Sequence, residues 1–143
     1  MAACLEDDIS ADCMDKIRKF LANDRFARLA GVELLDVGPG RAKASLTVGE
    51  KHLNGAGMVH GAAIFALADF TFAAASNAYG TLAVGINVSI SFMKAVKSGV
   101  LTAEARETSR NAKLATYDIP VRDETGDLVA GFQGMVYRKK ETI

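Results

Sequence analysis

Gly61-Ala62-Ala63-Ile64-Phe65-Ala66-Leu67-Ala68-Asp69-Phe70-Thr71-Phe72-Ala73-Ala74-Ala75-Ser76-Asn77-Ala78-Tyr79 is the stretch that decides the fold. It is long, free of proline and rich in good helix formers, which predicts a helix. It is apolar nearly all round, so the expected helix is one enclosed by other structure rather than one lying on a surface. Its many alanines let neighbouring strands approach closely. The only charge in it is Asp69, and no Lys or Arg stands three or four residues away to pair with it. An unpaired buried carboxylate costs several kcal/mol, so a chain that keeps one usually uses it. The competing reading is a structural carboxylate, bonded to backbone or to a tertiary arginine. A membrane span of this length would place Asp69 at the hydrocarbon centre without Lys/Arg or Trp anchors at its ends, which argues against that alternative.

Outward from the helix, the pattern changes. Met14, Ile17, Phe20, Leu21, Phe26 and Leu29 recur on a helical period, with Ser10 as an N-cap, Gly31 as a stop and Asn23-Asp24 as a possible break. Val37-Gly38-Pro39-Gly40-Arg41 is a turn, followed by alternation of Ala42, Ala44, Leu46 and Val48 with polar residues, which reads as a hairpin. After the helix, Leu82, Val84, Ile86, Val88, Ile90 and Phe92 are expected on one strand face, with Ala83, Gly85, Asn87, Ser89 and Ser91 on the other. Three further strands are expected, carrying Leu101, Ala103 and Ala105, then Ala115, Tyr117, Ile119 and Val121, then roughly 127–138. Short turn-like joints predict a four-strand antiparallel meander. The sum is an α+β fold with a sheet curled around the apolar helix.

At 143 residues the chain is long enough for one good core. Lys plus Arg and Asp plus Glu both total 17, so there is no broad footprint for nucleic acid or an anionic membrane, and self-association is mildly favoured. Cys4 and Cys13 read as inert thiols, with no disulfide framework or zinc pattern. Glu6, Asp7 and Asp8 are the wrong chemistry for a signal peptide, so a cytoplasmic protein is expected.

Just before the helix, His52-Leu53-Asn54-Gly55-Ala56-Gly57-Met58-Val59-His60-Gly61 delivers the chain into a helix N-terminus. Unpaired N–H groups and the positive dipole end stabilise a developing oxyanion there, and Gly61 leaves room for a carbonyl. An amide at Asn54, an imidazole at His60 and a carboxylate at Asp69 complete a set suited to hydrolysis of an activated carbonyl. Asp69 is the candidate general base or nucleophile. His60 reads more readily as a turn-holding residue, and Asn54 equally well as an Asx-turn residue. Eight residues of helix separate Gly61 from Asp69 by about 12 Å. One chain cannot bring both to one carbonyl, whereas two antiparallel helices about a two-fold axis can. A site shared between two copies is therefore expected.

Asn54-x-x-Gly57-x-x-His60-Gly61, followed by Leu67-x-Asp69, resembles the signature of hotdog-fold acyl-CoA thioesterases of the phenylacetate-degradation (PaaI-like) type. The resemblance extends over about 24–138, including Leu29-Ala30-Gly31-Val32-Glu33, Phe92, Gly99 and Leu101. It implies residues 1–30 as an N-terminal helical segment and 31–143 as a single hotdog thioesterase domain, in dimers often paired into tetramers. It also implies hydrolysis of an acyl-CoA substrate with neither metal nor other cofactor. Carried over by position, Asp69 is the base or nucleophile, Gly61 polarises the thioester carbonyl, Asn54 holds water or substrate, and His60 supports the turn. The chain departs from the pattern at Ala62, where the family often has a second glycine, and at Gly85, where some relatives carry a hydroxyl. Lys94, Lys97, Arg110 and Lys113 are candidate contacts for the coenzyme A phosphates. A small aryl-acyl or medium-chain group is expected. The alternatives are an acyl-thioester hydratase or dehydratase using His60, and an acyl-CoA-binding module without turnover.

Overall fold

The computed structural model describes residues 9–143. Ser10 caps α1 (Ala11–Ala22), its hydroxyl accepting from the Cys13 N–H at 3.3 Å, and the helix buries Cys13, Ile17 and Leu21. Cys13 is disulfide-bonded, which corrects the expectation of an inert thiol there; Cys4 lies outside the described residues. The chain breaks at Asn23-Asp24, and Asp24 caps a second helix, α2 (Arg25–Ala30), by accepting from the Ala27 N–H at 2.9 Å. Gly31 then closes α2 in the left-handed region at φ 84°, where a Cβ would be strained.

The hairpin β1 (Val32–Gly38) and β2 (Arg41–Thr47) turns at Pro39-Gly40, with Gly40 at φ 69° supplying the left-handed residue of the turn. Ala42, Ala44 and Leu46 of β2 are buried, as their alternation predicts. The central helix α3 (Gly61–Asn77) is followed by β3 (Thr81–Phe92), β4 (Val100–Arg110), β5 (Leu114–Arg122) and β6 (Leu128–Thr142). One antiparallel sheet results, in the order β1-β2-β4-β5-β6-β3, and α3 packs against every strand of it. No helix among the described residues is long and apolar enough to cross a membrane.

Two expectations about the strands fail. The four-strand meander is only three strands long, β4-β5-β6, because β3 pairs with β6 at the far edge rather than with β4. The stretch 93–99 carries the chain back across the end of the sheet. It is pinned on the way by Met93 N–H to Val129 O (2.8 Å) and Val59 N–H to Val96 O (2.8 Å), and it ends beside β2, where Val48 N–H reaches Gly99 O at 2.9 Å. A short joint can therefore link strands that are not neighbours when its backbone groups find partners along the route.

The second failure concerns the faces of β3. The register with β6 shifts between Gly85 and Asn87, so Ile86 is an extra residue and the side-chain alternation changes phase there. Gly85 opposes Val136, while beyond the bulge Val88, Ile90 and Phe92 oppose Gly134, Phe132 and Ala130. Val84 opposes Tyr137 on the other side of the sheet, so the apolar residues of β3 do not share one face.

The core sits between α3 and the inner face of the sheet. Phe72 stacks edge-on against Tyr117 (centroids 5.6 Å) and packs against Phe132 (5.7 Å). Its ring occupies the space where side chains at Gly85 and Gly134 would lie; a Cβ on Gly134 would stand 2.6 Å from it. This close approach explains why glycine, rather than a hydroxyl-bearing residue, stands at 85.

Candidate active site

The helix α3 is enclosed over its C-terminal half but not over its first half. Ile64, Leu67, Ala68 and Phe70 are buried, whereas Ala62 and Asp69 are exposed and Gly61, Phe65, Ala66 and Ala73 are half-buried. The open positions follow the i, i+3, i+4 rule and so form one stripe along the helix. The expectation of an enclosed carboxylate is corrected: in the single chain Asp69 faces outward on that stripe. Among the described residues nothing is placed to cover it.

A cleft of about 510 Å³ runs along this stripe. Its floor is Gly61, Ala62, Ala66 and Asp69; its walls include Phe65, Phe92 and, from α2 and its cap, Phe26 and Asp24. Among the described residues no hydrogen bond or ion pair reaches the Asp69 carboxylate, so no guanidinium neutralises it. Partial burial raises its pKa above the ordinary carboxylate value, and the nearby Asp24 charge raises it further.

The other end of the cleft is the start of α3. His60 is the N-cap, its Nδ1 accepting from the Ala62 N–H at 2.9 Å, while its carbonyl accepts from Ala63 and Ile64. Those bonds leave the Gly61 N–H without an acceptor among the described residues, as expected of the first N–H of a helix. The Phe92 ring lies over Gly61, with its tip 3.0 Å from where a Cβ would stand. A side chain at 61 would collide with that wall of the cleft.

Asn54 organises the loop that leads to this N-terminus. Its Oδ1 accepts from Ala56 N–H (2.9 Å) and Met58 N–H (3.1 Å), an Asx-type arrangement, and its own N–H donates to Met58 O at 2.7 Å. The amide Nδ2 takes part in no hydrogen bond among the described residues. His52, buried beneath the loop, accepts from Gly49 N–H through Nδ1 and donates from Nε2 to the carbonyl of Ala30, tying the loop to the end of α2. Its role is structural.

The four basic candidates do not gather in one chain. Lys94 and Lys97 lie at the Gly61 end, next to the Val59–Val96 contact, whereas Arg110 and Lys113 lie at the opposite end of α3. Lys94 is held by Asp123 (2.6 Å) and Asp127 (2.8 Å), and Arg110 by Glu107 (3.2 Å) while stacking 4.4 Å from the centre of the Tyr79 ring. Lys97 and Lys113 form no ion pair among the described residues. Among the described residues, no cluster of three or more His, Cys, Asp or Glu side chains is placed to hold a metal ion.

Sequence reasoning missed Asp24 and Phe26 as lining residues. Asp24 reads only as a helix break, and Phe26 only as part of a helical period. Yet Phe26 is 69% exposed at the cleft wall, a signal that needs the fold to be seen.

Residues 56–130 match the model of the thioesterase superfamily. A putative esterase of Archaeoglobus fulgidus is 40% identical over 130 residues, covering 90% of this chain and 84% of that protein. The acyl-coenzyme A thioesterase PaaI of Escherichia coli is 34% identical over 122 residues, covering 85% and 87% of the two chains. The solved structure of the E. coli PaaI protein from the phenylacetic acid degradation operon superposes with a TM-score of 0.89 over 95% of this chain and 99% of that one, at 30% identity. Curved antiparallel sheet, long central helix, family model and relatives agree: the chain belongs to the thioesterase superfamily, as a hotdog-fold thioester hydrolase of the PaaI-like type.

Proposed function

We propose that the protein hydrolyses acyl-CoA thioesters with small aryl-acyl or medium-chain acyl groups, in a site formed by Asp69 of one copy and the Gly61 N–H of a second. The observation that carries this reading is the unpartnered Asp69 carboxylate on the one open stripe of α3, at the end of an aromatic-walled cleft away from a helix N-terminus. Within a chain the two groups are about 12 Å apart along the helix. Antiparallel pairing of two α3 helices brings each Asp69 to the other's Gly61 and covers both exposed stripes at once. The apolar surface for such pairing is present on the edge strand β3, where Ile86 is 54% and Phe92 53% exposed. Dimers of this kind pairing into tetramers, in the cytoplasm, complete the proposal.

In the reaction the Gly61 N–H and the helix dipole polarise the thioester carbonyl as negative charge develops on its oxygen. Asp69 either takes a proton from the attacking water or itself attacks the carbonyl carbon; in both cases the CoA thiolate leaves, and in the second water then hydrolyses the anhydride formed on Asp69 to release the acid. Asn54 presents its free Nδ2 towards water or substrate, and His60 supports the helix start. Acyl-CoA as the substrate class is supported by the E. coli thioesterase relative. Of the basic candidates, Lys97 meets the phosphates at the Gly61 mouth beside Lys94, and Arg110 and Lys113 reach them only from elsewhere in the assembly.

Thiol release measured over a panel of acyl-CoA esters tests the activity. Mixing Asp69→Asn chains with chains blocked at Gly61 by Gly61→Val tests the shared site: complementing dimers recover part of the wild-type rate. Mixed dimers that form but stay inactive would refute the cross-chain arrangement.

A further inference from the structure

We infer that Asp24 is a specificity-determining residue of this cleft, turning away acyl groups that carry a negative charge of their own. The inference rests on the thioesterase reading above and adds to it the chemistry of the acyl portion.

Among the described residues that line it, the cleft is apolar and aromatic apart from two side chains, and both of these are carboxylates, Asp24 and Asp69. Among the described residues no Lys, Arg or His lines it. Asp69 has a catalytic assignment; Asp24 does not, and it comes from a different element. Its position is fixed rather than incidental. Oδ1 is held by the Ala27 N–H at 2.9 Å as the cap of α2, while its other oxygen has no hydrogen bond among the described residues. Arg18 and Arg28 line the neighbouring cavity on the other side of Asp24, yet among the described residues neither forms an ion pair with it. The guanidinium of Arg28 turns instead to the carbonyl of Ala22. The Asp24 carboxylate therefore stands at the cleft wall without an ion pair among the described residues, close enough to Asp69 to act on it electrostatically.

An acyl group bound with its thioester at Asp69 runs past Phe26, Phe65 and Asp24. An aryl or alkyl group buries apolar surface there. A dicarboxylic half-thioester would set a third carboxylate beside two fixed ones with no cation among the described lining residues of the cleft to offset it, and like charges so placed discriminate against a ligand. Asp24 is solvent-facing, so screening limits the effect of this one residue to roughly three- to tenfold.

The test compares matched thioesters, butyryl-CoA with succinyl-CoA and phenylacetyl-CoA with its para-carboxy derivative, in wild type, Asp24→Asn and Asp36→Asn. Asparagine preserves the helix cap, so the fold is kept. Asp36→Asn removes one negative charge from the surface far from the cleft. The wild type is expected to prefer the neutral member of each pair. Asp24→Asn should narrow the kcat/KM ratio by about three- to tenfold, and Asp36→Asn should leave it as it was. An unchanged ratio in Asp24→Asn, or an equal narrowing in Asp36→Asn, overturns the inference while leaving the thioesterase reading intact. Absence of turnover with every thioester overturns the reading and the inference together.

Discussion

Two carboxylates beside α3, Glu107 on β4 at its C-terminal end and Asp69 at its midpoint, are treated in opposite ways. At the C-terminal end Glu107 accepts from the Tyr79 hydroxyl at 2.8 Å and the Tyr117 hydroxyl at 2.9 Å through one oxygen, and from Arg110 at 3.2 Å through the other. Tyr117 is 1% exposed, and burial together with Glu107 pushes the Tyr79 hydroxyl up to about 12 and raises that of Tyr117 as well. The same knot takes in the hairpin turn, since Glu107 N–H donates to Gly40 O at 2.9 Å and Gly40 N–H to Ala75 O at 3.3 Å. At the middle of α3 Asp69 has no partner among the described residues and faces an open cleft. A carboxylate whose lone pairs are spoken for fastens a fold; one left bare beside apolar walls is available for chemistry.

Substitution at each carboxylate separates the two roles. Asp69→Asn should lower kcat/KM by about 10³-fold or more, as loss of a general base or nucleophile does, with an unchanged circular dichroism spectrum. Its melting temperature should stay level or rise, because a partly desolvated charge is removed. Retained activity would strip Asp69 of its assigned role. Glu107→Ala should act the other way, costing about 3 kcal/mol in denaturant unfolding because two tyrosine hydroxyls and Arg110 lose their acceptor. The rate per folded molecule should stay within about twofold, since Glu107 touches no reacting atom. His60→Ala should cost about 1 kcal/mol through loss of the helix cap, and His60→Asn should recover most of it. If His60→Asn restores stability but not turnover, the imidazole has a chemical part as well.

The smallest effect is one of pH. As the proposed base or nucleophile, Asp69 would work deprotonated, so the acid limb of kcat/KM should follow its pKa and lie above the ordinary carboxylate range. Asp24→Asn removes one cause of the upward shift and should move that limb to lower pH. Stability carries the matching sign. A carboxyl whose folded pKa is raised favours the protonated native state, so its ionisation weakens the fold as pH climbs from the ordinary value through the raised one. That part of the pH dependence should vanish in Asp69→Asn.

Much of this was legible in the residues. The helix break at Asn23-Asp24, the Pro39-Gly40 turn, the buried alternation of β2, β4 and β5, and the helix start at Gly61 all follow from local rules, because the signal lies within a few residues. The phase change at Ile86 and the pairing of β3 with β6 were not, since a bulge and a crossover depend on partners dozens of residues away. Phe72 filling the space above Gly85 and Gly134 is of the same kind. In the site, Asp69 and Gly61 stand out by composition and position, whereas Asp24 joins them only because α2 docks beside α3.

The edge strand β3 has a consequence for how the protein is handled. It is 12 residues long, with Val84, Ile86 and Phe92 turned to solvent in a lone chain. Such a border invites company. If the catalytic pair is completed there by a second copy, rate per milligram is not a constant: it should fall on dilution below the dimer's dissociation constant and recover on concentration, so that a sample assayed too thin would look dead while perfectly folded.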